Sequence, residues 1–160
     1  MEKHIRLLDC TLRDGGHIVK GKFGEDVIRN TIERLVEAKV DIIEVGFLWD
    51  SIYGVDTARY YTIEDVKRIL PSNRGKSKFS LMADFIDLKS LEPCDGTIEF
   101  IRLSFKRWRL EWGLKTAQIL MDKGYKVFIN PVNNNVYSDK EYIEVLEEVN
   151  HLHPYGFSIV

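Results

Sequence analysis

Apolar runs typical of β-strands alternate along this chain of 160 residues with segments of helical periodicity. Strands are predicted over residues 4–8, 40–45, 79–84, 99–103, 126–130 and 155–160. Helices are predicted over residues 25–38, 62–70, about 109–123 and 138 to about 149, with a weak helical turn at 86–91. Strands that are separated by helices imply parallel pairing with right-handed crossovers. The sequence therefore predicts an α/β fold with a parallel sheet.

Two architectures fit this alternation: an open doubly wound sheet and a (β/α)8 barrel. An open sheet that binds a dinucleotide should carry the turn G-x-G-x-x-G after its first strand, and this chain does not. The segment after the first predicted strand is instead long, polar and charged, as the active-site loops of barrels are. An open sheet of five or six strands would still fit the length, so the pattern alone leaves both architectures open.

The composition argues against several classes of protein: nucleic-acid-binding, membrane-bound and disulfide-rich proteins. Hydrophobic residues make up 44% of the chain, and 23 Lys and Arg residues stand against 25 Asp and Glu residues. A neutral charge balance gives no reason to expect binding to nucleic acid or to an anionic membrane. No apolar run reaches 18 residues, and the two cysteines, Cys10 and Cys94, do not form a disulfide framework. We expect a single cytoplasmic domain over residues 1–160.

The stretch from Asp9 to His17 is the most informative part of the sequence, because it begins where the first predicted strand ends. Arg13 has donors suited to a carboxylate or an enolate, and Asp14 is a hard oxygen ligand suited to Mg²⁺ or Mn²⁺. His17 could move a proton near neutral pH, and two glycines before it would turn the chain tightly. A plain ion pair between Arg13 and a neighbouring Asp, with a surface histidine, is the structural alternative.

The string LLDCTLRDGGH at residues 7–17 resembles the first-strand signature of the metal-dependent aldolases and Claisen-type enzymes with a TIM barrel. That superfamily includes 4-hydroxy-2-oxovalerate aldolase, the most similar type because His17 follows the R-D-G motif at its spacing. Weaker likenesses continue in IIEVGF, FIRLSF and YGFSIV. The resemblance implies that Asp14 binds a divalent metal, Mn²⁺ or Mg²⁺. It also implies that Arg13 stabilises the enolate of pyruvate and that His17 takes part in proton transfer.

The resemblance also implies that this chain is incomplete. The family supplies two further metal ligands as H-x-H on its seventh strand, whereas this sequence stops in the sixth. The pair His151 and His153 has that spacing but lies before the sixth strand, at the opposite end of a barrel from the active mouth. We therefore expect a domain truncated before strands seven and eight, with an incompletely coordinated metal and little activity. Its open sheet edges should favour self-association.

Further polar residues lie at or near the carboxyl ends of predicted strands. Arg102 and Asn130 are predicted to bind the substrate and rank above Glu44 and Asp84. Asn133, Asn134 and Asn135 add amide groups after the fifth strand. The basic and aromatic cluster that runs from Lys106 to Trp112 is interpreted as a helix start whose tryptophans pack inside, rather than as a nucleic-acid patch.

These observations favour the N-terminal part of a (β/α)8 barrel of the aldolase type. The predicted activity is divalent-metal-dependent cleavage of a 4-hydroxy-2-oxo acid, or the reverse condensation. The predicted partner is thus a small 2-oxo acid, with no nucleic acid and no membrane. The alternative is a non-catalytic remnant or binding module that retains the fold and the first-strand motif.

Overall fold

The computed structural model describes residues 5–50, 54–84 and 91–159. The chain divides into two compact units, Met1–Leu81 and Met82–Val160, and the boundary falls within a strand. In the described ranges no helix combines the length and the apolar character that a membrane span needs.

In the first unit, strands and helices alternate from the beginning. Its elements are β1 (Leu8–Asp9), α1 (Thr11–Asp14), α2 (Glu25–Glu37), β2 (Ile42–Leu48), β3 (Arg59–Tyr60), α3 (Ile63–Lys67) and the first part of β4 (Lys78–Asp84). Parallel pairing sets Leu8 against Ile42 and Phe47 against Arg59. On its other side β2 adjoins β4, where the Lys78 amide donates to the carbonyl oxygen of Asp41 at 2.9 Å. At its carboxyl end β2 thus pairs with β3, beyond the two residues that pair with β1.

The second unit repeats the same alternation. It contains the end of β4, then β5 (Phe100–Phe105), α4 (Leu110–Asp122), β6 (Lys126–Pro131), α5 (Asp139–Leu152) and β7 (Gly156–Phe157). The strands follow the order β4-β5-β6-β7, and parallel pairing sets Phe100 against Lys126 and Phe128 against Gly156. The predicted α/β alternation with parallel pairing is thus observed.

Buried apolar faces hold the helices against the strands. In α2 the side chains of Ile28 and Ile32 are fully buried, while Val27 on the other side is half exposed. In the second unit Leu120 of α4 and Val145 of α5 are likewise fully buried. Because this spacing of three and four residues puts one stripe of each helix inside, the helical periodicity of the sequence located these elements correctly.

Capping residues and a glycine mark the ends of several helices, as the sequence predicts. Ser138 caps α5 in a reciprocal capping box with Glu141, and Thr62 caps α3 with Asp65 in the same way. Gly124 follows α4 with a φ of +89°, the left-handed conformation expected there. The predicted extension of the helix after Thr62 to residue 70 is wrong, because α3 ends at Lys67 and residues 68–70 form a turn before Pro71.

The outer strands are shorter than predicted. β1 covers only Leu8 and Asp9, and the two residues Ile5 and Leu7 before it are 89% and 61% exposed. β7 covers two residues of the predicted 155–160. β3 was not predicted, and the weak helical turn predicted at 86–91 lies almost wholly outside the described residues.

Gly46 lets β3 approach β2 closely. Its φ is +150°, and a Cβ atom added there would lie 2.0 Å from the carbonyl oxygen of Ala58. That carbonyl accepts a hydrogen bond from the amide of Phe47 at 3.0 Å. A side chain at position 46 would therefore occupy the space of the backbone that leads into β3.

Candidate active site

Asp9 organises the segment that follows β1. Its carboxylate accepts hydrogen bonds from the backbone amide of Thr11 at 3.0 Å and from the Thr11 hydroxyl at 2.9 Å. Leu12 then inserts into the core and is only 2% exposed. These contacts explain why the motif begins D-x-T-L: a capped turn and an apolar anchor fix the direction of the next side chain, Arg13.

Arg13 is held between two carboxylates. Its Nε atom donates to Oε1 of Glu44 at 2.6 Å, and its Nη1 atom donates to Oδ1 of Asp14 at 2.6 Å. The Glu44 side chain on β2 is fully buried, that of Arg13 is 15% exposed and that of Asp14 is 63% exposed. Glu44 is the only charged residue in the apolar segment IIEVGF, a pattern typical of a buried ion pair. It nevertheless ranks below Arg102 and Asn130 among the residues predicted to bind the substrate.

The electrostatics of Arg13 favour a permanent charge. Burial alone would lower the pKa of Arg13, but the charge and hydrogen bond of Glu44, with smaller contributions from Asp14 and Cys10, outweigh it and raise that pKa. Among the described residues Nη2 of Arg13 has no hydrogen-bond partner. A guanidinium that is fixed on two sides and open on the third can donate to a carboxylate or an enolate oxygen.

Asp14 offers one ligand position for a divalent metal. Its Oδ1 atom is paired with Arg13, whereas Oδ2 has no partner among the described residues. Over residues 5–50, 54–84 and 91–159, no group of three His, Cys, Asp or Glu side chains could hold a metal. The described part of the chain therefore does not make a complete metal site by itself.

His17 lies at the end of a short 3-10 turn, Gly15–His17, and its side chain is exposed. The imidazole packs edge-to-face on the ring of Phe47, with 5.7 Å between the ring centres. The two glycines lie in this tight turn, as predicted, but without a left-handed backbone: Gly15 has an ordinary helical φ of −59°, and the turn continues directly from α1. A left-handed glycine occurs later, at Gly21.

Arg102 and Asn130 come together in the second unit. Nη2 of Arg102 on β5 donates to Oδ1 of Asn130 on β6 at 3.3 Å, and the two residues are 9% and 2% exposed. The same region holds Asn133, whose φ of +62° is left-handed. The pair is thus a buried polar contact between neighbouring strands, and its predicted contact with substrate remains a prediction.

The basic and aromatic cluster differs from expectation. Trp108 is 73% exposed, because residues 107–109 form a 3-10 turn ahead of α4 and carry it outward. Lys106 Nζ lies 5.0 Å from the centre of its ring, and Arg107 pairs with Glu144 at 2.7 Å. The prediction that the tryptophans of this cluster pack inside is therefore wrong for Trp108.

The two histidines with H-x-H spacing lie before the last strand, as predicted, at the carboxyl end of α5. His151 is in the last turn of α5, and His153 ends the helix with a φ of +53°.

Asp84 at the end of β4 provides a pH-dependent prediction. Burial raises its pKa, the charges of Lys106 and Arg109 oppose this only in part, and Oδ1 is buried without a hydrogen bond. A carboxyl group whose pKa is raised by folding stabilises the protein at low pH and loses that contribution as the pH rises through its folded pKa. Asp84→Asn should therefore raise the melting temperature, measured by circular dichroism, more at pH 7 than at pH 4. The exposed Asp50, replaced by Asn, is the control, and an equal effect at both pH values for Asp84→Asn would contradict the prediction.

Comparison with known proteins supports an aldolase-like chain. No protein-family model matches. A 4-hydroxy-2-oxovalerate aldolase from Geobacillus genomosp. 3 is 44% identical over 42 residues, which are 26% of this chain and 12% of that enzyme.

Two solved structures share the fold. The N-terminal domain of a provisionally assigned aldolase from Bacteroides vulgatus has a TM-score of 0.61 and 19% identity, covering 97% of this chain and 62% of that chain. A truncated 3-deoxy-D-arabino-heptulosonate 7-phosphate synthase from Thermotoga maritima has a TM-score of 0.54 and 9% identity, covering 86% of this chain and 46% of that one. The chain thus spans less than two thirds of each of these proteins. The first of these structures confirms the predicted fold class, an α/β fold with a parallel sheet that corresponds to the N-terminal part of a (β/α)8 barrel.

Proposed function

We propose that this chain carries the enolate-binding part of a carbon-carbon lyase that cleaves a 4-hydroxy-2-oxo acid into pyruvate and an aldehyde, or runs the reverse condensation. The observation that carries the proposal is the Arg13 guanidinium, fixed at 2.6 Å by the fully buried Glu44 of β2, just past the carboxyl end of β1. Similarity over 42 residues to an aldolase of this specificity supports it. Active sites of barrels lie at that end of the strands.

The reaction needs charge stabilisation and proton transfer. A base removes the proton of the substrate's 4-hydroxyl group, the bond between C3 and C4 breaks, and its electrons pass into the enolate of pyruvate. Arg13 would donate to the oxygen on which this negative charge develops, and no reorganisation is needed because Glu44 and Asp14 already fix the guanidinium. The exposed His17 would accept the hydroxyl proton, and a proton added at C3 then completes pyruvate.

We include a divalent metal, Mn²⁺ or Mg²⁺, in the proposal, with Asp14 as the ligand that this chain offers. Such an ion acts as a Lewis acid on a 2-oxo acid. The remaining metal ligands would come from residues other than those that the structure describes, because no three of the described His, Cys, Asp and Glu side chains form a metal site.

The test is turnover in the full-length protein with Mn²⁺, with 4-hydroxy-2-oxovalerate as substrate and pyruvate release as the signal. Arg13→Lys should lower kcat by roughly 100-fold or more, because lysine cannot reproduce the fork that Glu44 and the enolate share. Asp14→Asn should have a similar effect.

The control for Arg13→Lys is Arg34→Lys, which changes an arginine of the exposed Arg34–Glu37 pair on α2 and should leave the rate within about twofold. Unchanged turnover in Arg13→Lys would overturn the proposal. Arg13-dependent binding of pyruvate without any turnover would instead identify a binding module.

A further inference from the structure

Four side chains in the first unit form a continuous row, which we call the aromatic row: His17, Phe47, Trp49 and Arg59. The ring of His17 lies 5.7 Å from that of Phe47, and Phe47 lies 6.0 Å from Trp49, both edge-to-face. The guanidinium carbon of Arg59 lies 4.4 Å from the centre of the Trp49 ring. The row therefore leads from the proposed proton-transfer residue to a cation.

Arg59 lacks an anionic partner. Its Nε atom is buried without a hydrogen bond, and among the described residues no carboxylate pairs with it. By contrast Arg13, Arg29 and Arg34 in the same unit each pair with a carboxylate within 2.7 Å. The guanidinium is partly buried and no carboxylate of the described residues neutralises it, which costs free energy, and an anion that accepted from its Nη atoms would recover part of that cost.

The surrounding backbone is shaped to hold Arg59. A Cβ atom at Gly21, where φ is +79°, would lie 3.1 Å from both Cγ and Nε of Arg59 and 2.8 Å from Oγ1 of Thr57. The glycine thus leaves room for the arginine stem beside the segment that follows β1. Pairing of Phe47 with Arg59 also puts Arg59 at the carboxyl end of β2, the end at which parallel α/β barrels bind ligands.

We propose that Arg59, stacked on Trp49, binds an oxyanion of the substrate other than its 2-oxo acid group. The inference rests on the proposed function and adds a preference, among 4-hydroxy-2-oxo acids, for members with a second anionic group over 4-hydroxy-2-oxovalerate, which has only one. A carboxylate and a phosphate both present oxygens that match a guanidinium fork. The indole beneath the guanidinium restricts its position, and the Nη atoms remain as the donors for an anion.

Binding can be measured without turnover, through tryptophan fluorescence of the full-length protein. Malonate and inorganic phosphate are titrated separately at constant ionic strength, with acetate as the monocarboxylate comparison. The wild type should give a saturable change with at least one dianion, and comparison of the two affinities distinguishes a carboxylate site from a phosphate site. Trp49→Phe should lose most of the signal, because Arg59 stacks on that ring.

Arg59→Met should weaken the binding of that dianion at least about tenfold, and Arg59→Lys should weaken it less, which covers the case in which the methionine variant folds poorly. Arg74→Met is the matched control, because Arg74 also stacks on an aromatic ring, that of Phe79 at 5.7 Å, but precedes the amino end of β4. Affinities that are equal in Arg59→Lys, Arg59→Met and the wild type, or a signal that never saturates, would overturn the inference.

The two proposals can fail separately. Arg13→Lys should leave dianion binding within about threefold while it abolishes turnover, since Arg13 and Arg59 contact different groups. Dianion binding that depends on Arg59 in a protein without aldolase turnover would leave the anion site standing and reject the proposed reaction. Aldolase turnover that depends on Arg13, with kcat/KM unchanged in Arg59→Met for mono- and dianionic substrates alike, would reject the anion site alone.

Discussion

Substituting Gly46 by alanine should lower the free energy of unfolding by about 3 kcal/mol or more, one of the two largest effects expected in this protein. The added methyl group would lie 2.0 Å from the carbonyl oxygen of Ala58, which is backbone and cannot rotate away. Relief requires β3 to separate from β2, with loss of the hydrogen bonds that the amides of Phe47 and Trp49 donate to it. Urea unfolding followed by circular dichroism measures the change.

Gly24→Ala is the control that separates the clash from backbone strain. Gly24 also has a positive φ, +87°, but nothing lies within 4 Å of its added Cβ atom. This variant should lose less than Gly46→Ala, because it carries only the backbone strain of an alanine at φ +87° and ψ +143°, about 1–3 kcal/mol. Equal losses in the two variants would show that the approach of β3 to β2 contributes nothing to the effect.

Arg13→Met should destabilise the protein by about 3–5 kcal/mol, because it removes the cation that lies 2.6 Å from the fully buried carboxylate of Glu44. The expected loss in the free energy of unfolding comes from the buried charge that stays on Glu44, and not from the packing of the arginine side chain itself. Replacement of both residues, Arg13→Met with Glu44→Leu, should therefore recover most of it, since two apolar side chains leave no buried charge behind. The four proteins of this double-mutant cycle are compared by urea unfolding at pH 7.

Arg34→Met supplies the scale for this cycle. The Arg34–Glu37 pair has the same 2.6 Å separation but is largely exposed and screened by water, so its removal should change stability far less than removal of Arg13. A coupling between Arg13 and Glu44 as small as that of the surface pair would contradict the view that burial makes this contact strong. Because Arg13→Met changes stability as well as charge, Arg13→Lys remains the variant for kinetic work.

The sequence located elements whose signals are local. Apolar runs and helical periodicity are properties of short windows, and capping residues such as Ser138 act within one turn. The motif around Arg13 was also recognisable, since its residue types follow one another in order. These features needed no knowledge of what lies elsewhere in the chain.

Contacts between distant residues were out of reach. Glu44 is 31 positions from Arg13, and only the pairing of β1 with β2 brings the two together. β3 contains two residues whose pairing depends on the close approach at Gly46, which no periodicity reveals. The interaction of Arg59 with Trp49 was missed for the same reason.

Trp108 differs from its predicted position for another reason, a local turn before α4. Its exposure follows from a 3-10 turn at residues 107–109, which keeps Trp108 outside the helix whose apolar face packs inside. Helix starts that have no side-chain cap, as here, are the positions at which a sequence pattern is least informative.

The segments that follow β1 and β2 are tied to each other. Lys22 and Thr57 form an antiparallel bridge, the Ala58 amide donates to the Gly21 carbonyl at 2.9 Å, and the Gly24 amide donates to Asp56 at 3.0 Å. A free loop loses about 1–2 kcal/mol of conformational entropy for each residue that a ligand orders. The residues joined by these contacts, 21–24 and 56–58, are already ordered by folding. A ligand that contacts both would therefore bind to a preorganised surface with little further loss of conformational entropy.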